Sequence, residues 1–268
     1  MDAFLNRLAG SSQVPSNAKA LVVLQGEQAV FPLDEFEYCG SEDATTCVIV
    51  VLLGSQFGYV AHLDDSVVMY PDFLVPAMGK CTNGYTSAVD AYLVGAYDDD
   101  GRNCALKHVL TALNRHNKWV NFKLRCVGAQ NRNSSGGPRT TALALHLASK
   151  VPLPCAFAYR GPELARRHAS RSFLRGLSSV LDGQGRLTLP GFTIPELSDG
   201  AITLYEHLIA QAESDPQAFL VNTSTSPEHE SERFIPDIRA SCEFILERCA
   251  GTEVPPLVFT MQSNGVWL

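Results

Sequence analysis

The run TCVIVVLL, residues 46–53, constrains this chain more than any other stretch. It is apolar, short and rich in β-branched side chains, which crowd a helix at χ1 and fit a pleated strand. A run of this length without polar alternation reads as a central strand buried on both faces. GSQFG (54–58) follows as a turn, and YVAHLD (59–64) as a second strand. The fold is therefore expected to be built around an antiparallel hairpin near residue 55.

Other segments extend that sheet. ALVVLQ (20–25), VDAYLVGAY (89–97) and WVNFKLRCV (119–127) read as strands, with weaker ones at TTALALHLAS (140–149) and PCAFAYR (154–160). Gly95 inside a strand pattern marks a bulge or a close backbone approach. SSVLDGQGRLTL (178–189) reads as a hairpin about DGQG, and LVFTMQSNGVWL as a closing strand or hairpin. Leu106, Val109, Leu110 and Leu113 share one face of a helix. Residues 201–212 are a further helix, and Pro236 opens a last one with Ile238, Cys242, Ile245 and Cys249 on its apolar face. Strands dominate and helices come singly between them, which predicts an α+β fold with packed, mostly antiparallel sheets and outer helices. Residues 1–18 read as a loose lead-in to a single domain, 1–268.

Composition narrows the function. A net charge of -7 leaves no basic face for phosphates, so a nucleic-acid partner is not expected. No apolar run approaches the ~20 residues of a membrane span, and the first residues lack a charged and then apolar leader. A cytoplasmic chain is expected, with the nucleus also open to it. The eight cysteines should then be free thiols, and none forms a CxxC pair. His62 and Asp64 in HLD are two metal ligands only, too few for a zinc site, so no metal and no cofactor is expected.

Antiparallel pairing about residues 54–56 places Cys47 opposite positions 62 to 64, and His62 stands 15 residues after Cys47. Cross-strand neighbours lie ~5 Å apart at Cβ, within reach of a thiol–imidazole hydrogen bond. Such a pair is what nucleophilic catalysis needs: the imidazole takes the thiol proton and later protonates a leaving group. Two readings stand side by side. Cys47 is a nucleophile, or it is a small buried hydrophobe at the head of a core strand, as free cysteines usually are. A one-residue slip in register would separate the pair. Cys242 and Cys249 read as core, and the remaining histidines have no partner pattern.

The blocks GSEDATTCVIVVL, AHLDD, YLVGAYDDD and STSP followed by FIPDIRASCEFIL resemble the protein N-terminal asparagine amidohydrolase family, from about residue 20 to the C-terminus. Gly95-Ala96-Tyr97 stands where that family usually has Gly-Gly-Phe. The resemblance implies hydrolysis of the side-chain amide of an N-terminal asparagine, giving aspartate and ammonia and feeding the N-degron degradation pathway. It makes Cys47 the nucleophile. The spacing from Cys47 to His62 is also similar to that of bacterial toxin and chemotaxis glutamine deamidases, which implies an α/β/β/α sandwich. In the chemotaxis deamidases a threonine stands six residues before the cysteine; here that position is Ser41, which becomes the third catalytic member.

On that reading His62 is the base, Ser41 orients it, and backbone N–H groups near Cys47, with Thr45 and Thr46, hold the reacting amide. The α-ammonium of the substrate calls for a carboxylate, for which Glu42, Asp43 and Asp64 are candidates. Ser224 and Thr225 in STSP are a second candidate pocket edge, although a Ser/Thr loop capping the next helix is the plainer reading. The expected partner is the N-terminal asparagine of a protein or peptide, met by a monomer. The rival readings are a deamidase for N-terminal or internal glutamine, and a non-catalytic adaptor for N-terminal peptides.

Overall fold

The computed structural model describes residue 4 and residues 13–98, 101–172, 177–224, 227–230 and 232–268. The strands of its first part are β1 (Ala20–Val22), β2 (Glu27–Pro32), β3 (Tyr38–Ala44), β4 (Val48–Leu53), β5 (Phe57–Leu63), β6 (Val89–Gly95), β7 (Val120–Val127), β8 (Thr141–His146), β9 (Val151–Leu153) and β10 (Ser178–Ser179). The described residues of Met1–Gly161, Arg175–Thr188 and Val258–Leu268 form one compact unit, and those of Pro162–Leu174 and Leu189–Leu257 a second. The class is α+β, with mixed sheets in which antiparallel pairings outnumber parallel ones.

In the first unit β4 sits inside a six-stranded sheet of order β10-β2-β5-β4-β6-β7. Every residue of β4 is buried, as its unbroken apolar character requires. Val48, Val50 and Leu52 join Tyr59, Ala61 and Leu63 of β5 in a core with the helices α1 (Leu74–Cys81) and α2 (Cys104–Arg115). By strand alternation the other parity, which includes Ile49 and His62, faces the opposite side. On that side β3, a member of the four-stranded sheet β1-β3-β8-β9, contacts both β4 and β5.

Several segments differ from the sequence expectation. β4 begins at Val48, and Thr45–Cys47 form a bend before it. The polar stretch YCGSEDA is itself a strand, β3, in which Ser41 and Glu42 are buried and only Asp43 is exposed. Its ladder with β8 shifts register between Ser41 and Ala44, and Asp43 takes φ +62° within that bulge. β7 runs parallel to β6 after the α2 crossover. PCAFAYR is not a strand: Phe157 makes one isolated bridge to Val14, and β9 lies just before it. The DGQG turn forms, but β10 pairs in parallel with β2 and the hairpin keeps one bridge, Leu181 to Leu187.

The second unit carries α3 (Glu163–Ser172), α4 (Asp199–Ser214), α5 (Pro216–Thr223), α6 (Phe234–Leu246) and a short ladder of Phe192–Thr193 with Glu253–Val254. α6 starts two residues before Pro236. A proline is tolerated there because first-turn N–H groups have no intrahelical acceptor.

Gly95 closes β6 with φ +89°, and a Cβ there would lie 2.5 Å from the Cys47 carbonyl oxygen. Both the backbone conformation and the space demand glycine. Gly95→Ala is expected to cost at least about 2 kcal/mol, read as a fall in the urea unfolding midpoint.

Candidate active site

Ser41 on β3 and His62 on β5 are both buried, at 1% and 2% exposure. The Ser41 hydroxyl donates to the carbonyl of Val23 at 2.6 Å, and its oxygen lies 2.7 Å from His62 Nδ1. A serine hydroxyl has one proton. With that proton on Val23 O, Ser41 Oγ accepts from His62 Nδ1–H, and the basic lone pair of the neutral ring sits on Nε2. The two residues come from different sheets, so this bond also ties the sheets together.

Cys47 lies one step beyond the β4–β5 ladder. Ile49 pairs with His62 and Val48 with Leu63, so the register brings Cys47 level with Asp64 and diagonal to His62. Ile49, two residues after Cys47, lies on the His62 side of the sheet. The bend itself is fastened through its carbonyls. Thr45 O accepts from Tyr97 N–H at 2.8 Å, Thr46 O from Asn103 Nδ2 at 2.7 Å, and Cys47 O from Ala96 N–H at 2.6 Å. Ala96 reaches this position at φ +50°, the left-handed region in which the family resemblance has a glycine. The buried Asn131 adds a longer bond to Thr45 O at 3.4 Å, while its Oδ1 accepts from Thr141.

Burial pushes the Cys47 thiol up to about 12; the charges of Asp64 and Asp65 add to this, and the Thr46 hydroxyl acts against it. The resting group is a thiol. Burial works against the Asp64 carboxylate, but hydrogen bonds from Gln25 and Ser66 and the nearby His62 hold it below the usual aspartate range. Gln25 Nε2 donates at 2.9 Å, and the Ser66 N–H and hydroxyl at 2.9 and 2.5 Å.

The other expected site residues are spread more widely. Glu42 is buried and paired with the guanidinium of Arg160 at 2.9 Å, while its second oxygen accepts from Phe157 N–H. Asp43 lies 3.4 Å from the same guanidinium and is more open. Thr45 exchanges a hydrogen bond with Thr140 at 2.9 Å. Ser224 belongs to the second unit, where its N–H caps α5 and its hydroxyl donates to Glu230. Thr225 lies outside the described residues. Among the described residues no three His, Cys, Asp or Glu side chains are gathered to hold a metal. Arg160, Asn103 and Asn131 escaped the sequence reading. Asn103 carried a readable signal as an N-cap three residues before Leu106; the other two carried none.

A family model described as protein N-terminal asparagine amidohydrolase matches residues 10–268. The chain belongs to the protein N-terminal asparagine amidohydrolase family. Family relatives bearing that name include a pig protein, 26% identical over 265 residues that cover 92% of this chain and 82% of the pig protein. A human protein is 25% identical over 264 residues, covering 92% of this chain and 83% of its own length. A mouse protein is 24% identical over 264 residues, with the same coverage of 92% and 83%. In this family member the DATTC block spans the bulged end of β3 and the fastened bend.

Two outcomes follow from the site. Alkylation of Cys47 by iodoacetamide, followed by mass spectrometry of its peptide, should rise about tenfold per pH unit above pH 8, with no plateau below about pH 11. Arg160→Ala leaves the buried Glu42 carboxylate without its guanidinium, and should lower unfolding free energy by about 3 kcal/mol in urea titrations.

Proposed function

We propose that this chain hydrolyses the side-chain amide of an N-terminal asparagine in proteins and peptides, leaving aspartate and releasing ammonia. The observation that carries the reading is the Ser41–His62 hydrogen bond. Together with the Val23 carbonyl it supports His62 Nε2 as the base, on the position diagonal to Cys47, in a member of the amidohydrolase family.

In the proposed reaction His62 Nε2 takes the Cys47 proton as the sulfur adds to the carboxamide carbon. A thiol held up to about 12 does not ionise ahead of the substrate, so transfer and attack occur together. The carbonyl π pair moves to oxygen and is met by N–H groups of the bend. The imidazolium, oriented by Ser41, returns its proton to the departing ammonia, and a thioester remains. Water, losing a proton to His62, adds to the thioester; the sulfur leaves, and the carboxylic acid and the thiol are restored. These steps balance without any cofactor.

Asp64 is the proposed partner of the substrate α-ammonium. It is held anionic and lies level with Cys47, whereas Glu42 is already committed to Arg160. Asp43, Thr45 and Thr46 remain secondary proposals for substrate contact. The family model runs through both compact units, which supports treating 1–268 as one amidohydrolase domain, and an α/β/β/α sandwich is the proposed architecture. We place the protein as a monomer in the cytoplasm or nucleus, upstream of arginylation in the N-degron pathway, with no nucleic-acid or membrane partner.

The test is ammonia release from matched peptides that begin with Asn, Gln or acetyl-Asn. Free Asn should be the substrate, Cys47→Ala should lower turnover by at least about 1000-fold, and Ser41→Ala by about 10- to 100-fold. Asp64→Asn should weaken use of the free amine by about tenfold. Equal turnover of acetyl-Asn would remove the amine contact, and preferred turnover of Gln would reassign the substrate.

A further inference from the structure

A trans peptide is planar, so its N–H points away from its carbonyl. Whatever grips the carbonyl of residue 46 therefore aims the N–H of residue 47. Thr46 O accepts from Asn103 Nδ2 at 2.7 Å. The neighbouring carbonyls of Thr45 and Cys47 are held by main-chain N–H groups of Tyr97 and Ala96, but the Thr46–Cys47 peptide is held by a side chain. The same amide also donates to Tyr97 O at 3.3 Å. Asn103 is thus joined both to the bend and to the segment that anchors it.

Asn103 has a second task that accounts for only half of its side chain. It is the N-cap of α2, where its Oδ1 accepts from Leu106 N–H at 2.7 Å. Asp or Ser would serve a cap as well as Asn does. Neither can supply the amide donor to Thr46 O, and Asp would set a carboxylate against that oxygen.

We propose that Asn103 is a positioning residue for the amide hydrolysis. By gripping Thr46 O it holds the Thr46–Cys47 peptide so that the Cys47 N–H meets the oxygen of the carboxamide under attack. As the Cys47 sulfur bonds to the amide carbon, the C=O π pair becomes an oxyanion on that oxygen. The oriented N–H is the donor it gains, and the pair returns to the carbonyl as ammonia departs. The inference rests on the amidohydrolase reading above, and it adds the residue that prepares the donor.

Asn103→Asp and Asn103→Ser separate the two tasks, since both keep a capping oxygen. Four quantities are read on the full chain: the urea midpoint, kcat, KM for a free Asn peptide, and the iodoacetamide rate at Cys47. Alkylation displaces iodide at carbon and forms no oxyanion, so it reports the thiol alone. The expected result in Asn103→Ser is a kcat lower by about 10- to 100-fold, with an unchanged midpoint and with KM and alkylation within about twofold of wild type; in Asn103→Asp, whose added charge also slows alkylation, kcat should fall further than alkylation does. A kcat within about twofold of wild type in both variants would overturn the proposal. So would a loss of kcat matched by an equal loss of alkylation and an early midpoint, which would make Asn103 a cap and nothing more. A wild-type chain that released no ammonia from the Asn peptide would overturn the assigned activity and this role with it; an active wild type with unaffected variants overturns this role alone.

Discussion

The hydroxyl of Ser41 has one proton, and the carbonyl of Val23 receives it. The tautomer of His62 depends on that direction. This direction leaves an oxygen lone pair for His62 Nδ1–H, which fixes the tautomer and points the ring's basic nitrogen elsewhere. It also costs the fold little, because both partners are buried and each hydrogen bond satisfies a group that would otherwise be stranded. A carboxylate in the place of Ser41 would need its own compensation in that dry space. A hydroxyl needs only a carbonyl, and Val23, the residue after β1, supplies one.

The electrostatics around Cys47 run against a preformed thiolate. Burial and two neighbouring aspartates keep the sulfur protonated. That arrangement is poor for a reagent that must be ionised in advance and well suited to one that should ionise only when a substrate is in place. Thiolate character is also what exposes cysteines to oxidation, so a resting thiol is spared side reactions that a low-pKa cysteine would meet. The acidic neighbours that burden an anion favour a cation, which is the charge a free N-terminus carries.

Much of this was legible in the chain, and the parts that were not have a common cause. The β4–β5 hairpin could be read because an apolar, β-branched run has few other places to go, and its pairing about 54–56 placed His62 near Cys47. The start of β4 was set two residues early, since Thr46 and Cys47 fit a strand by type while their carbonyls bond to Asn103 and Ala96 respectively. β3 was invisible as a strand because its buried polar side chains look like a loop until their partners are known. Glu42 is tolerated inside because Arg160, 118 positions along, comes back to meet it. Such pairings are set by the tertiary fold, and no local pattern announces them. Asn131 is hidden for the same reason, being a loop asparagine whose partners lie on the bend and on β8.

The turn between β4 and β5 lies a strand's length from Cys47, on the order of 20 Å for six residues. It nevertheless acts as the gauge for the site, since each pair in the ladder is counted from it. Glycines stand at both of its ends: a side chain on Gly54 would strike the Cys81 carbonyl, and one on Gly58 the Phe31 ring. The loop is therefore clamped against the core on one side and the neighbouring strand on the other, with little slack to take up a length change. An insertion there would be paid out along the ladder and would reach His62 as a change of face.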